Sequence, residues 1–375
     1  MDNVSSTSNS IPACPTIVPG IPIQVDARPV TAEPPTSINK PLRVLQWNIE
    51  RGYQLDAVLK VLAQVDPDIA ILQELDIHCV RSGETDQFNI IARTLGWNGG
   101  FVAEFEELHS PLRDSLTQGG GFHGNAIFSK FDMDLRAIVH QYQPVNWEKE
   151  GITFREPRRG GRVTLAATIR PPGQPPVLAY SAHLEVFCGL SHRVWQLAEI
   201  LDDAYQQLPL FPHQLLFGDL NTMAHSWARL VPKYCRDQFR WRSFGRNEAT
   251  WLTKYVLEFY RTEVDMVISQ DKTVITQEEP KGTLPGKLVI NRRLAVYGSK
   301  VFPERILQMA LNPGFTDPWD TKRDITLTNF YGLYKGKLDW TLTMGFRCLS
   351  KLMGNHDYKA SDHKYLVLEL DYVEK

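Results

Sequence analysis

The feature that most constrains this chain is an ordered set of short motifs in which an oxygen-bearing or imidazole side chain stands at the end of a run of strand-like residues or just before one. In chain order they are Trp47-Asn48-Ile49, Leu72-Gln73-Glu74, Ser181-Ala182-His183-Leu184, Gly218-Asp219-Leu220-Asn221, Leu338-Asp339-Trp340 and Ser361-Asp362-His363. Runs of this kind read as buried strands whose polar ends emerge at a sheet edge. Several such ends in one chain can be gathered into one site only if the strands lie side by side.

The segments between the motifs supply the rest of the expected fold. Leu42 to Asn48 reads as a strand, Leu55 to Val65 as a helix closed by Asp66-Pro67, and Asp68 to Glu74 as a buried strand. Asn48 and Glu74 then sit at the ends of neighbouring strands joined by that helix. Gln87 to Trp97 is a further helix, Gly124 to Ser129 a turn entering a strand, and Val163 to Ile169 and Val177 to Leu184 are strands around the Pro171 to Pro176 turn. Ser191 is the expected cap of a helix through Arg193, Trp195, Leu197 and Leu201. Strands are again expected at Leu215 to Asn221, Gly336 to Leu342 and Tyr365 to Leu370. The order is strand-rich without a uniform strand–helix repeat, which predicts an α/β fold of packed mixed sheets covered by helices rather than a barrel or a bundle.

Charge limits the partners. Lys plus Arg number 41 against 43 Asp plus Glu, a formal charge of -2, so no global positive field draws a polyanion to the surface and nucleic acid would need a local groove. Arg158-Arg159-Gly160-Gly161-Arg162 is a basic patch too short to establish one, and reads as a charged loop. Gly119 to Gly121 reads as a flexible loop, since no Gly-Lys-Ser/Thr pattern follows to make a nucleotide cradle. Met1 to Pro41, interrupted by Pro12, Pro15, Pro19 and Pro22, predicts a flexible leader whose polar start is unlike a secretory signal. No apolar span reaches the roughly 20 residues needed to cross a bilayer, so the expectation is a soluble intracellular protein, cytoplasmic or nuclear. Cys14, Cys79, Cys188, Cys235 and Cys348 are dispersed, without zinc-site spacing, and read as reduced structural thiols.

The six motifs in this order resemble the endonuclease/exonuclease/phosphatase superfamily, the DNase I-like metal-dependent phosphoesterases, from Leu42 to Leu370. The resemblance implies a four-layer α/β sandwich, two mixed central β-sheets flanked by helices, with the motifs along one edge. It divides the chain into the leader at 1–41 and one domain at 42–375, in which 222–338 contains a family-specific insertion. Carried over motif by motif, it makes Glu74 the principal ligand of Mg2+, or alternatively Mn2+, with Asn48 as a ligand or a holder of the water on the metal. Asp362 would touch the metal or its water. Carboxylate and amide oxygens suit such a hard cation.

The same resemblance assigns Asp219 to activating or positioning water and Asn221 to the scissile phosphate; two positions apart, they share one side of an extended strand unless a loop turns Asn221 across the cleft. His183 and His363 would stabilise the transferring phosphoryl group, His363 also orienting or deprotonating the nucleophile, with Asp339 as its orienting carboxylate. Asp265, 97 positions before Asp362, is the alternative to Asp339, which is 23 before it and favoured by the shorter interval. Asn125 and Arg193 are candidates for substrate contact, against readings as strand-entry structure and a solvated helix surface. The expected function is Mg2+-dependent hydrolysis of a phosphate ester, a phosphodiester slightly ahead. A phospholipid or sugar-phosphate phosphatase is the enzymatic alternative, and a noncatalytic phosphate-binding or protein-interaction module the other.

Overall fold

The computed structural model describes residues 16–30, 40–223, 247–261, 304–329 and 334–373. Strands are numbered in chain order. In the larger sheet β1 (Pro22–Asp26), β4 (Asn98–Glu107), β5 (Gly121–Ser129), β3 (Ile69–Ile77), β2 (Leu42–Asn48), β15 (Tyr365–Tyr372) and β14 (Phe346–Gly354) follow one another, with β7 (Arg158–Gly160) also pairing with β4. The second sheet runs β13 (Asp339–Met344), β10 (His213–Asp219), β9 (Val177–His183), β8 (Val163–Arg170), β6 (Asp132–Val139). A small hairpin joins β11 (Leu327–Asn329) to β12 (Tyr334–Gly336). The β2–β3 and β9–β10 pairs are parallel and their neighbours antiparallel, so both sheets are mixed.

Alternating side chains of the strands divide the core into three apolar layers. Between the sheets, Val44, Ile69, Ile71 and Ile127 meet Leu165, Ala179, Leu215 and Phe217. On the outer face of the larger sheet, Leu45, Trp47, Leu72 and Phe128 pack under Val58 and Leu62 of α1 (Leu55–Val65) and Phe88 and Ile91 of α2 (Gln87–Leu95). On the outer face of the second sheet, Tyr180, Leu216 and Leu342 pack under α4 (Leu190–Gln207), α5 (Glu248–Leu252) and α6 (Glu304–Met309); the short α3 (Trp147–Glu150) lies earlier in the chain. The result is the expected layered sandwich of helices, sheet, sheet and helices.

Local chemistry sets the helix ends. Asp86 caps α2 by accepting from the Asn89 amide at 3.0 Å, and Gly96, at φ 64°, closes it. Helix α1 ends in left-handed Asp66, whose amide returns to Leu62. Gly189, not Ser191, precedes α4, because the helix starts one residue before that serine.

Three other expectations are corrected. The leader is not flexible throughout, since residues 22–26 form β1, with Ile23 and Val25 packed on the outer core and Gln24 bonded to Asn98. Gly121 begins β5 rather than ending a loop. The basic patch is not a charged loop: Arg158 and Arg162 are buried and paired with Glu156 and Glu104, and only Arg159 is exposed. Much of 222–338, including Asp265, lies outside the described residues. No helix among the described residues is long and apolar enough to cross a membrane.

Candidate functional site

The parallel pairs bring their carboxyl ends to one edge of the sandwich. Asn48 closes β2 beside Gln73 of β3, and Asp219 is the register partner of both His183 on β9 and Asp339 on β13. Glu74 lies in an irregularity of β3, between the paired residues Leu72 and Leu75, in the left-handed conformation (φ 61°). Such a bulge re-aims a side chain that regular pleating would send elsewhere. Asn221 (φ 53°), Glu50 (φ 51°) and Arg51 (φ 57°) are left-handed too, and strain of about 1 kcal/mol or more at each persists only where surrounding contacts enforce it. Gly218 has a different reason: a Cβ there would stand 1.9 Å from the Ala182 carbonyl oxygen, so the motif needs glycine for β9 and β10 to approach.

A continuous set of contacts results. The Asn48 amide donates to Glu74 Oε1 at 3.0 Å and to Asp219 Oδ2 at 3.1 Å. His363 Nδ1 bonds Asp339 Oδ2 at 2.8 Å, and its Nε2 lies 3.7 Å from Asp219 Oδ2 and 3.8 Å from Asp362 Oδ1. His183 Nε2 lies 3.8 Å from both Glu74 Oε1 and Asp219 Oδ2. Beneath them a polar seam ties the two sheets: Gln46 donates to Gln73 at 2.8 Å and to Asp339 at 3.0 Å, and Gln73 donates to Ser181 at 3.1 Å. Ser361 Oγ, donating to the Asn48 carbonyl at 2.7 Å, fixes the loop that carries His363.

Electrostatics separates the two imidazoles. Burial opposes charge on His363, but Asp339, Asp362 and Asp219 outweigh it and hold its pKa well above the ordinary value. Burial, followed by Arg162, His123 and His363, holds His183 well below. Burial pushes the Asp219 carboxyl up to about 6, with Asp339 and Glu74 adding to the rise. Asp362, raised by burial, Glu74 and Asp219, also reaches about 6, and Glu50, raised by burial, Asp362 and Glu74, about 7. Glu74 stays below its usual range, because His123, Arg51, Asn48 and His363 overcome its burial. Crowded carboxylates that raise one another are the arrangement a divalent cation relieves. Asp219, Asp339 and His363 form one group able to hold a metal ion, and Glu104, His123 and His183 form another.

Of the ten site candidates that lie within the described residues, eight converge on this edge: Asn48, Glu74, His183, Asp219, Asn221, Asp339, Asp362 and His363. Asn221 turns its amide to the Leu184 carbonyl at 2.8 Å, while its own backbone N–H donates to Asp219. Asn125 is buried, donates to the Val163 carbonyl and faces Glu104 behind His183. Arg193 does not join them and is no solvated helix surface; it is buried beneath α4, on Glu248 at 2.7 Å and the Cys188 carbonyl at 3.0 Å. Sequence reasoning missed Glu50, which accepts the Asp362 amide at 2.8 Å, although it follows Asn48 by two positions. It also missed Glu104, 3.7 Å from His183 Nδ1, and His123, which precedes Asn125 by two in the same strand.

Chains of known structure are similar to this one. ANGEL2, a 2',3'-cyclic phosphatase, is similar with a TM-score of 0.50 at 14% identity, over 89% of this chain and 96% of that one. An endonuclease/exonuclease/phosphatase from Beutenbergia cavernae DSM 12333 gives 0.48 at 16% over 89% and 72%, and TDP2 from Caenorhabditis elegans 0.47 at 16% over 88% and 74%. No curated protein matches the chain in sequence. The sequence profile of the Endonuclease/Exonuclease/phosphatase family matches residues 45–363, a span that takes in all the converging side chains, and the chain belongs to that family.

Proposed function

We propose that this protein hydrolyses a phosphate ester with the help of Mg2+, or alternatively Mn2+, and that a phosphodiester is its preferred substrate. Family membership supports metal-dependent phosphoester hydrolysis as the class of chemistry. The observation that carries the reading is the convergence of Glu74, Asn48, Asp219 and the His363–Asp339 pair, drawn from five separate chain segments and linked neighbour to neighbour, the longest step being 3.7 Å. Glu74 and Asn48 would hold the cation, with Asp362 beside them; when bound, it would neutralise charge growing on the phosphoryl oxygens. The donor set fits once Asn48 turns its amide, whose nitrogen faces Glu74 and Asp219 while its oxygen accepts from the Glu50 amide at 3.0 Å; carboxylate and amide oxygens are what such a cation takes.

In this reading Asp219 accepts the proton of the attacking water, its raised carboxyl being suited to a base near neutral pH. His363, kept charged by Asp339, donates to the phosphoryl group rather than deprotonating the nucleophile, a shift from the expectation that follows from their 2.8 Å contact. His183, held neutral, offers Nε2–H to an equatorial oxygen. Asn221 would release Leu184 to reach the phosphate. The singly charged diester is favoured because the guanidinium facing Glu74 is Arg51, already shared at 4.0 Å with Glu74 and 3.9 Å with Glu156, whereas Arg158 and Arg162 are buried and paired. The burial of those two arginines also counts against a broad nucleic-acid groove there. A phospholipid or sugar-phosphate ester is the enzymatic alternative.

The test is a matched panel of DNA, RNA, phospholipids and phosphomonoesters, with and without Mg2+. Metal-dependent product from one substrate class, lost in Glu74→Gln that still folds, is the expected result. Phosphate binding without product from any class would move the protein to the noncatalytic alternative.

A further inference from the structure

Behind His183, away from Glu74, lies a second set of donors. Glu104 occupies a bulge of β4, between Ala103 and Phe105, which pair with Gly124 and His123 of β5. A Cβ at Gly124 would come within 2.0 Å of the Val102 carbonyl oxygen, so the strands close on the bulge only because that position is glycine. His123 and Asn125, two apart on β5, present their side chains to one face. Glu104, His123 and His183 each offer a ligand atom within 4.8 Å of the others, and all three are buried.

Two observations show that this group is incomplete as it stands. His183 Nδ1, 3.7 Å from Glu104 Oε2, has no hydrogen-bond partner, nor has Asn125 Oδ1, although both residues are at most 4% exposed. Orphaned buried polar atoms are costly unless something fills the gap. His123 meanwhile is prepared as a ligand: its Nδ1 is held on Asp76 Oδ1 at 2.8 Å, and Asp76 is fixed by Arg81 at 2.7 and 2.8 Å. A carboxylate on one ring nitrogen is the support that metal-ligating histidines need on their far side, and it leaves Nε2 free.

We propose that His123 Nε2, His183 Nδ1 and a Glu104 carboxylate oxygen, completed by Asn125 Oδ1, bind a transition-metal cation of the Zn2+ class at a site separate from Glu74 and Asn48. Two imidazoles with one carboxylate suit Zn2+, or Mn2+ and Fe2+, better than Mg2+. Arg162 stays on Glu104 Oε2 at 2.9 Å, and its charge is shared with Glu185 at 3.5 Å. An ion on Nδ1 places the His183 proton on Nε2, the nitrogen facing Glu74 and Asp219. The site rests on these contacts and not on the phosphoesterase reading.

Metal-free full-length protein titrated with Co2+ and Zn2+ tests it without an activity assay. Wild type and Glu74→Gln should both take up one Zn2+ in this site and give intense visible bands with Co2+. His123→Gln and Glu104→Gln should lose at least about 100-fold in Zn2+ affinity, a ligand being worth no less than the outer partners that give 10–100-fold. Folding is checked by circular dichroism. Wild-type bands retained in folded His123→Gln, or lost in folded Glu74→Gln, would overturn the site. If His123→Gln does not fold, X-ray absorption at the zinc edge of Glu74→Gln decides: two imidazole scatterers support it, and none refutes it.

Discussion

His363 and His183 face the same space from opposite walls, and their carboxylate partners treat them differently. On one side Asp339 closes on His363 at 2.8 Å, and the imidazole is held charged. On the other Glu104 stands 3.7 Å from His183, and burial beside Arg162 keeps that ring neutral. Each wall pairs one imidazole with one carboxylate, an aspartate for His363 and a glutamate for His183. What differs is the neighbouring charge: three aspartates surround His363, while arginines crowd the Glu104 side. An imidazole–carboxylate pair therefore has no fixed behaviour, and two copies of it can hold one ring charged and the other neutral within one site.

Asp339→Asn breaks the closed wall and should have the largest effect. With the tautomer and charge of His363 no longer enforced, kcat should fall on the order of 10^3- to 10^4-fold, read by turnover on whichever panel substrate reacts, with circular dichroism unchanged. A fall below tenfold would mean that the contact does not set the chemistry and would return Asp265 to consideration.

The open wall is backed by ionic packing instead. Glu107 takes Arg81, Arg113 and Arg158, and although burial raises its carboxyl, those arginines hold it well below the usual range. Glu107→Gln leaves buried guanidinium charge uncompensated and should cost about 3 to 5 kcal/mol of stability in urea unfolding. A depressed carboxyl stabilises the fold fully above its unfolded pKa, about 4.3, and loses that contribution as pH falls further. The variant should therefore show a shallower decline of stability below about pH 4; an identical acid limb would show that the network is not what holds this wall.

Removing residues 1–40 sharpens the contrast from farther away, since β1 lines the edge of β4, the strand that carries Glu104. The loss of half-buried Ile23 and Val25 should lower stability by about 1 to 3 kcal/mol after chain entropy is counted, read as a lower melting temperature. No change at all would restore the expectation of an idle leader.

Much of this arrangement was legible in the residues. Strand β2 and helix α1 have the predicted limits because their apolar spacing is uninterrupted. The motifs of β2, β3, β9 and β10 were legible because each polar residue ends an apolar run, whereas Asp339 opens β13 and His363 lies just before β15. Strand β4 was not, since Gly99 and Gly100 bring no side chain to an apolar alternation; here they give way to Phe88, Phe128 and Leu135, which would collide with any Cβ. Strand β14 carries mostly exposed side chains and so lacks an apolar alternation. Strand β1 was hidden in proline-rich sequence, where Pro22 is tolerated as the first residue of an edge strand. Glu104 carries no local signal, since a bulge is decided by the partner strand. Arg193 misled because spacing alone cannot show that Glu248 waits beneath the helix.

The Gln46, Gln73 and Ser181 seam has a consequence for how this protein tolerates change. Oil-like faces can slide past one another at little cost, but a row of amides with fixed donors accepts a single alignment. The two sheets are thereby indexed at the rim where the reacting groups stand. A cavity opened deep between them, as by Leu215→Ala, should therefore lower the melting temperature while the seam keeps Asp339 on His363. Damage far from the rim should surface first as lost stability rather than as slow turnover.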